Sequence, residues 1–305
     1  MKTLNWNNHT ISKLCLGTVQ FGLNYGIANK DGEVSQQEVN TILKYVLSKD
    51  INCLDTGSMY GNSEEKIGNY LKGNDLDTMI ISKIKSDFFQ VEHELSIQNI
   101  EKSLKYLSSN TLFALLLHNI EAIQNWSLKD TELICELKKQ NKIKYFGVSI
   151  YTNDEFNLAL KNDNVDIIQI PFNLLDQRAI KNNWLKKAKE KNKLVFIRSV
   201  YLQGLILMDK YSIPTHLDSA KQSLNIIDET ARKLNITKNE LALSFVNQMA
   251  KNSILLFGCD SLKQAAENIN NYNNLPKLDS QTIEYLTNSL SNIDEYIYNP
   301  SKWSK

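Results

Sequence analysis

Eight short apolar segments recur along the chain, none longer than seven residues. They occupy 14–19, 51–55, 79–84, 112–118, 145–150, 166–170, 194–199 and 253–258. This length and nearly continuous apolarity are typical of strands buried on both faces of a parallel sheet. A buried helix is the alternative for any one segment, but helices need about ten or more residues. The pattern therefore predicts eight buried strands.

Longer amphipathic segments separate these strands. In the segment 36–49, apolar residues from Val39 to Leu47 recur at helical spacing. Ser35 precedes it as an N-cap, and Glu38 stands where a capping box requires an acid. Related patterns predict helices at 63–71, 91–107, 128–140, 153–162, 181–191, 218–234 and 261–272, with additional helices at 237–250 and 279–295.

Eight strand–helix units are compatible with a closed barrel or an open doubly wound sheet. No G-x-G-x-x-G motif follows the first strand, as a dinucleotide-binding doubly wound fold would require, and eight strands match barrel closure. We therefore predict an α/β fold, a single (β/α)8 TIM barrel over residues 1–305. Residues 3–12 are expected to form a short hairpin over the barrel bottom, and the C-terminal helices to be additions without a linker.

Composition excludes several classes of protein. The 305 residues include 35 Lys and Arg against 34 Asp and Glu, so no excess charge indicates binding to nucleic acid or to an anionic membrane. No segment approaches the roughly 18 apolar residues of a membrane span, and the N-terminus lacks a signal-peptide pattern. The four cysteines are dispersed without a CxxC pair, so neither a metal site nor a disulfide framework is indicated. We expect a cytoplasmic protein.

Polar residues interrupt the apolar strands at positions that carry chemistry in a barrel, the carboxyl ends of the strands. Asp55 ends the second predicted strand, Tyr60 lies in the loop that follows it, Lys83 lies in the third strand and His118 ends the fourth. Lysine is rarely buried without a partner, because removing its ammonium from water is costly. We therefore expect Asp55, on the neighbouring strand, to pair with Lys83.

That pair has a chemical use beside a tyrosine. An isolated phenol has a pKa of about 10 and is a poor acid at neutral pH. We predict that Lys83 lowers the pKa of Tyr60, that Asp55 keeps Lys83 charged, and that His118 orients a carbonyl oxygen. Each residue alone has a structural interpretation, such as a turn tyrosine or an edge lysine, but the combination indicates a site that protonates an oxygen gaining negative charge.

The chain resembles the aldo-keto reductase superfamily, in particular its bacterial members. The similarity runs in order through LGTVQFGLNYG (16–26), LDTGSMYGNSEEKIGNYL (54–71), ISKIK (81–85), LLLHN (115–119), GVSIY (147–151) and LFGCDSLKQAAENI (256–269). The block D-T-x-x-x-Y-G-x-S-E-x-x-I-G is its most specific part. The resemblance implies a catalytic tetrad of Asp55, Tyr60, Lys83 and His118, no metal, and a nicotinamide cofactor whose hydride reaches the carbonyl carbon as Tyr60 protonates the oxygen.

The resemblance also implies which residues bind the cofactor. Ser149 and Gln169 match positions that hydrogen-bond the nicotinamide carboxamide, while Ile150 replaces a frequent Asn and removes one contact. Glu267 and Asn268 match positions that contact adenine. The complete predicted set is Gly17, Thr18, Val19, Asp55, Ser149, Gln169, Arg198, Ser199, Gly204, Gly258, Ser261, Gln264, Glu267 and Asn268.

Three further positions depart from the family pattern. Arg198 replaces the tyrosine that usually stacks on the nicotinamide ring, and three roles are open for it: stacking on the ring, binding an anionic substrate, or a structural role. Gly258 and Gln264 stand where many NADPH-preferring members have Lys or Arg to pair with the 2′-phosphate. Lys263 could substitute for them, or could be a solvated helix residue. We predict NADP(H), with NAD(H) as the alternative.

Tyr25, Phe88, Asn119 and Tyr151 are the predicted substrate-binding residues, with Phe89, Trp126, Phe172 and Tyr201 as further candidates. The sequence RSVYLQG after the seventh strand resembles bacterial members associated with sugar or surface-polysaccharide pathways. We predict NAD(P)H-dependent reduction of an aldehyde or ketone, with sugars and sugar-derived carbonyls among the candidate substrates, by a monomer or small homo-oligomer. The alternatives are a non-catalytic NAD(P)-binding redox sensor and a redox-neutral enzyme with a tightly held cofactor.

Overall fold

Eight parallel strands close into a barrel in the computed structural model, which describes residues 1–29, 32–74 and 77–303. After an antiparallel hairpin of β1 (Thr3–Trp6) and β2 (His9–Ser12), the barrel strands are β3 (Leu14–Gly17), β4 (Cys53–Asp55), β5 (Met79–Ile84), β6 (Leu112–Leu117), β7 (Ile143–Ser149), β8 (Ile167–Pro171), β9 (Leu194–Arg198) and β10 (Ser253–Gly258). Pairing of β10 with β3 closes the barrel. The predicted TIM barrel is confirmed, while its extent as one domain over 1–305 stays a prediction.

Helices alternate with the strands, as predicted. They are α1 (Val19–Gly22), α2 (Gln36–Leu47), α3 (Ser63–Leu71), α4 (His93–Tyr106), α5 (Glu121–Gln124), α6 (Leu128–Lys139), α7 (Asn153–Lys161), α8 (Arg178–Lys181), α9 (Trp184–Glu190), α10 (Lys221–Lys233), α11 (Lys238–Met249), α12 (Leu262–Asn273), α13 (Ser280–Ser289) and α14 (Glu295–Tyr298). Short 3₁₀ helices lie at Ser86–Phe89, Leu202–Leu207, Thr215–Ala220 and Pro300–Lys302.

Three local predictions are wrong, each because of a capping or turn residue. The segment predicted as one helix at 279–295 divides into α13 and α14, since the Asp294 side chain accepts from the Tyr296 amide and starts a new helix. The helix predicted from 181 starts at Trp184, because Asn183 adopts a left-handed conformation with φ 58°. Ser35 caps α2, but Glu38 accepts instead from the Leu262 amide at 2.7 Å, which joins α2 to the start of α12.

The N-terminal hairpin covers the bottom of the barrel, as predicted. Ile11 is completely buried against Cys15, Cys53 and other residues of the lower barrel interior. Trp6 packs on Tyr145 with ring centroids 4.6 Å apart, and its indole N–H donates to the Asn192 carbonyl at 3.0 Å. Because this end is closed by apolar packing, the carboxyl ends of the strands form the accessible face.

Two further findings concern only the part of the chain that the structure describes. Within it, no helix is long and apolar enough to cross a membrane. Nor do three or more His, Cys, Asp or Glu side chains of these residues gather where they could hold a metal ion.

We predict that Ile11→Ala lowers the free energy of unfolding by about 2–5 kcal/mol, because it removes a buried side chain from the barrel floor and leaves a cavity. Urea unfolding measures the change. Thr10→Ala is the matched control, since Thr10 is exposed on the same strand, and we expect a change within about 0.5 kcal/mol. Equal effects of the two substitutions would contradict the hairpin's role as a packed floor.

Candidate active site

The carboxyl ends of the barrel strands open into a cavity of about 1020 Å³. Its wall brings together nearly all of the predicted site residues: the four proposed catalytic residues together with Gly17, Thr18, Val19, Ser149, Gln169, Arg198, Ser199, Gly204, Gly258, Gln264, Glu267 and Asn268. Ser261 lies off the wall, and its hydroxyl instead caps α12 by accepting from the Gln264 amide at 3.3 Å. Residues far apart in sequence therefore meet in one cavity, as Gly17 and Gly258 do at paired positions of β3 and β10.

Asp55 is the centre of the polar contacts at the cavity base. Its Oδ1 accepts from Lys83 Nζ, and its Oδ2 accepts from Gln169 Nε2 at 2.8 Å. Asp55 and Lys83 are each 3% exposed, so the expected ion pair forms inside the protein. Burial disfavours the Lys83 ammonium, but Asp55 and Tyr60 outweigh it and raise the pKa of Lys83 above its ordinary value. The lysine is therefore charged at neutral pH.

Tyr60 is positioned by a close approach of two backbone segments. Gly22 ends α1, and a Cβ there would lie 1.9 Å from the Tyr60 carbonyl oxygen. Gly61 has φ +56°, and a Cβ there would lie 2.1 Å from the Gly22 carbonyl oxygen. Only glycine permits backbones to pack this closely, so these two residues fix the Tyr60 loop. Gly22 was not among the predicted site residues, although it lies within the motif at 16–26.

Buried hydroxyl groups connect the same loop to the first two barrel strands. Ser63 Oγ donates to Thr18 at 2.9–3.0 Å and lies 3.1 Å from Thr56 Oγ1. Thr18 Oγ1 in turn donates to the Asp55 carbonyl at 3.0 Å. Every one of these side chains is completely buried except Asp55, which is nearly so. This network explains why Thr and Ser occupy those places in the motif.

The Tyr60 phenol lies beside Lys83 and His118. Lys83 Nζ is 5.2 Å from the Tyr60 ring centroid, and the His118 ring lies edge-on to it at 6.5 Å. Burial raises the pKa of Tyr60, and Lys83 opposes this without reversing it. The prediction of a net lowering is therefore wrong, because burial outweighs the neighbouring charge. The phenol keeps its proton at neutral pH.

His118 is uncharged at neutral pH. Burial lowers its pKa, and the positive charges of Lys83 and then Arg198 lower it further. A neutral imidazole still has one N–H to donate. His118 can therefore donate a hydrogen bond into the cavity without adding a third positive charge to it.

Arg198 stacks on an aromatic side chain of the protein itself. Its guanidinium carbon lies 4.1 Å from the centroid of the Tyr151 ring. Its Nε donates to Ser149 Oγ at 3.2 Å, and its Nη2 to the Ile150 carbonyl at 3.1 Å. The Ile150 side chain is completely buried and contributes nothing polar to the wall.

The predicted substrate residues divide into two groups. Tyr25 and Tyr151 line the cavity, as does Tyr201. Phe88 and Asn119 do not: Phe88 is 2% exposed and packs edge-on against Phe89, in an aromatic cluster that includes Trp126. Phe172 is completely buried as well. Phenylalanine has no polar side-chain atom that could hydrogen-bond at a solvent-exposed surface, and both residues are buried in the core.

The wall also contains residues that no sequence motif indicated. His216 comes from a 3₁₀ helix after β9, and Trp303 comes from the C-terminal segment. Trp303 is held there because its indole N–H donates to the Tyr296 carbonyl at 2.7 Å. Their participation depends on how distant loops fold over the barrel, which leaves no local pattern.

The charged residues of the wall divide by sign between different parts of the chain. The cations Lys83 and Arg198 come from β5 and β9. The acids Asp260 and Glu267 come from the loop after β10 and from α12, and no described Lys or Arg of the segment 259–273 lines the cavity. Lys263 is exposed and lies off the wall.

The cavity has the features of a site for a long polar ligand. Its wall includes Tyr60, from the loop after β4, and Asn268 on α12, and Gly204 (φ +95°) lets one loop turn tightly at its edge. Gln20 Oε1, on the same wall, is buried and has no hydrogen-bond partner among the residues that the structure describes. An acceptor left unpaired in this way fits a ligand that brings hydroxyl or amide donors, as a dinucleotide does.

Comparison with known proteins gives a consistent result. The model of the Aldo/keto reductase family matches residues 13–290. The chain is 22% identical over 289 residues to the uncharacterized oxidoreductase YqkF of Bacillus subtilis (strain 168), covering 88% of this chain and 89% of that protein. Its fold is similar to the holo form of aldo-keto reductase AKR11C1 from Bacillus halodurans, with a TM-score of 0.78, 21% identity, and coverage of 98% and 100%.

A further solved structure is an aldo-keto reductase from Klebsiella pneumoniae in complex with NADPH. It has a TM-score of 0.71 and 18% identity, with coverage of 99% of this chain and 97% of that one. At such identities, these structures establish the similarity of the fold.

We predict that Lys83→Met lowers the free energy of unfolding by about 3–5 kcal/mol, because Asp55 then stays buried without its ammonium partner. The double variant Asp55→Asn/Lys83→Met removes both charges and should recover part of that loss. Urea unfolding of wild type and of the single and double variants at neutral pH measures both effects. If the double variant is no more stable than Lys83→Met, the unpaired charge of Asp55 is not the cause of the lost stability.

Proposed function

This chain belongs to the aldo/keto reductase family, and we propose that it reduces the carbonyl group of an aldehyde or ketone to an alcohol. The observation that carries the proposal is the placement of Tyr60 beside the Asp55–Lys83 pair and His118 at the base of the cavity. A partly buried, protonated phenol next to a charged ammonium is suited to protonating an oxygen on which negative charge develops.

The proposed cofactor is NADP(H), with NAD(H) as the alternative. When bound, it would supply the hydride for the reduction. Ser149 and Gln169 would hold its nicotinamide end, and Glu267 and Asn268 its adenosine end. Support comes from their positions on one cavity wall and from the Klebsiella pneumoniae relative that was crystallised with NADPH.

In the proposed mechanism each residue of the tetrad has a separate task. Tyr60 donates its phenolic proton to the carbonyl oxygen. Lys83 stabilises the phenolate that remains, and Asp55 keeps the ammonium charged and in place. His118, uncharged at neutral pH, donates a hydrogen bond that orients the carbonyl. Sugar-derived aldehydes and ketones are among the candidate substrates, since tyrosine hydroxyls and aromatic faces line the cavity.

We predict that Tyr60→Phe lowers kcat/KM for carbonyl reduction by about 10²–10⁴-fold, the usual contribution of a positioned proton donor. Loss of reduced-cofactor absorbance with a panel of aldehydes, sugars and α-dicarbonyls measures it, and cofactor fluorescence measures binding. Tyr211→Phe is the matched control, because Tyr211 is 82% exposed.

Turnover that is indifferent to Tyr60 would contradict the mechanism. Cofactor binding without turnover of any carbonyl would instead favour a redox sensor or a redox-neutral enzyme.

We also predict that Gln264→Arg raises the ratio of kcat/KM with NADPH to that with NADH by about tenfold, through a charge-assisted hydrogen bond to the 2′-phosphate. Among the described residues, the charged side chains that the loop after β10 and α12 contribute to the wild-type wall are the acids Asp260 and Glu267. Steady-state kinetics with both cofactors measure the ratio. Lys263→Ala is the control, and we expect it to leave the NADPH to NADH ratio of kcat/KM unchanged. A lower kcat/KM with NADPH in this variant would identify Lys263 as the ligand of the 2′-phosphate.

A further inference from the structure

Arg198 places a positive charge in the cavity that is not paired with any acidic side chain of the described residues 1–29, 32–74 and 77–303. None of the ion pairs found among the described residues includes Arg198. Lys83, by contrast, lines the same wall and is paired with Asp55. Arg198 donates only to neutral acceptors: Ser149 Oγ, Ser199 Oγ and the Ile150 carbonyl. The end of the cavity around Tyr60 therefore has a net positive charge.

A second arginine close by shows what this chain does with a structural guanidinium. Arg178 lies off the cavity wall and forms a two-point ion pair with Asp176, whose side chain is completely buried. It also donates to the Tyr151 carbonyl. The two arginines thus flank one tyrosine, but only the one outside the cavity has a protein counter-charge.

The geometry leaves Arg198 ready to bind a ligand. A guanidinium has five N–H groups, and the three hydrogen bonds above use three of them. The Tyr151 ring covers one face at 4.1 Å and fixes the plane of the fork. Arg178 stacks on Tyr298 at 4.4 Å while it holds the Tyr151 backbone, so the support is itself fixed. A planar cation held in this way matches the geometry of a carboxylate or phosphate.

Arg198 is also close to the reacting groups. Its Nε donates a hydrogen bond to Ser149 at the end of β7. Its positive charge also lowers the pKa of both Tyr60 and His118. The described acids of the cavity wall other than Asp55 are Asp260 and Glu267, which come from the loop after β10 and from α12. A ligand with an anionic group and a carbonyl would therefore be oriented with its anion at Arg198 and its carbonyl near Tyr60.

We propose that Arg198 binds an anionic group on the substrate, so that the substrate class is an aldehyde or ketone that also carries a carboxylate or a phosphate. The carbonyl part of this statement rests on the proposed function, whereas the anion site rests on Arg198 and its surroundings alone.

Matched pairs of substrates test the proposal. An ω-oxo carboxylic acid is compared with its amide, and glyceraldehyde 3-phosphate with glyceraldehyde, so that the first pair tests carboxylate and the second phosphate. We expect wild type to prefer the anionic member in at least one pair. Arg198→Met should lower that preference, the ratio of the two kcat/KM values, by about ten- to hundred-fold. Arg232→Met, a substitution of an exposed arginine, controls for net charge and should not change it.

Arg198→Lys keeps the positive charge but removes the planar guanidinium. We expect this variant to retain part of the preference for the anionic substrate. A ratio that is unchanged in Arg198→Met, or equally reduced in the Lys and Met variants, would overturn the proposal. Cofactor affinity is measured in the same variants. If Arg198→Met weakens cofactor binding as much as it weakens use of the anionic substrate, the anion at Arg198 belongs to the cofactor and the proposal is overturned.

A binding experiment distinguishes this proposal from the proposed function. Calorimetry compares glutarate with its neutral diamide on protein saturated with NADPH. Preferential binding of glutarate that is lost in Arg198→Met supports the anion site even if no carbonyl compound is turned over. Turnover of neutral carbonyls without any preference for glutarate overturns the anion site while the reductase assignment stands.

Discussion

The structure depends above all on compensation of one buried positive charge. An ammonium group in a barrel interior is tolerated only when a carboxylate lies within bonding distance, and Lys83 on β5 has Asp55 on β4. Gln169, from β8 across the barrel, binds the second carboxylate oxygen. The ion pair that supports the proposed chemistry therefore also connects three strands, so that chemistry and the integrity of the barrel interior depend on the same atoms.

Much of the architecture was predictable, because strands buried on both faces must be apolar and short. The predicted strand at 79–84 coincides with β5, and the predicted helix at 63–71 with α3. The meeting of Asp55, Tyr60, Lys83 and His118 in one cavity was predictable because barrel geometry brings strand ends together whatever their distance along the chain. The break between α13 and α14 was not, since it depends on one capping aspartate within an otherwise helical pattern.

The wall of the cavity was predicted less well, for a physical reason. A loop aromatic such as Tyr25 or Phe88 can face either ligand or core, and tertiary packing decides between the two. Trp303 reaches the cavity only because the C-terminal segment folds back over the barrel. The pKa of Tyr60 was misjudged for a related reason: the neighbouring charge is visible in the sequence, whereas the extent of burial is known only from the fold.

The wall is built from two kinds of segment, with different consequences for how such a protein can evolve. Asp55 and Lys83 lie on strands that are paired on both sides, where an insertion would break the barrel. Tyr25, His216 and Trp303 come from connections and from the C-terminal segment, which tolerate changes in length and sequence. Mutations in these outer segments can alter which molecules enter without moving Asp55 or Lys83. Descendants of one ancestor can in this way inherit a reaction and diverge in what they act upon.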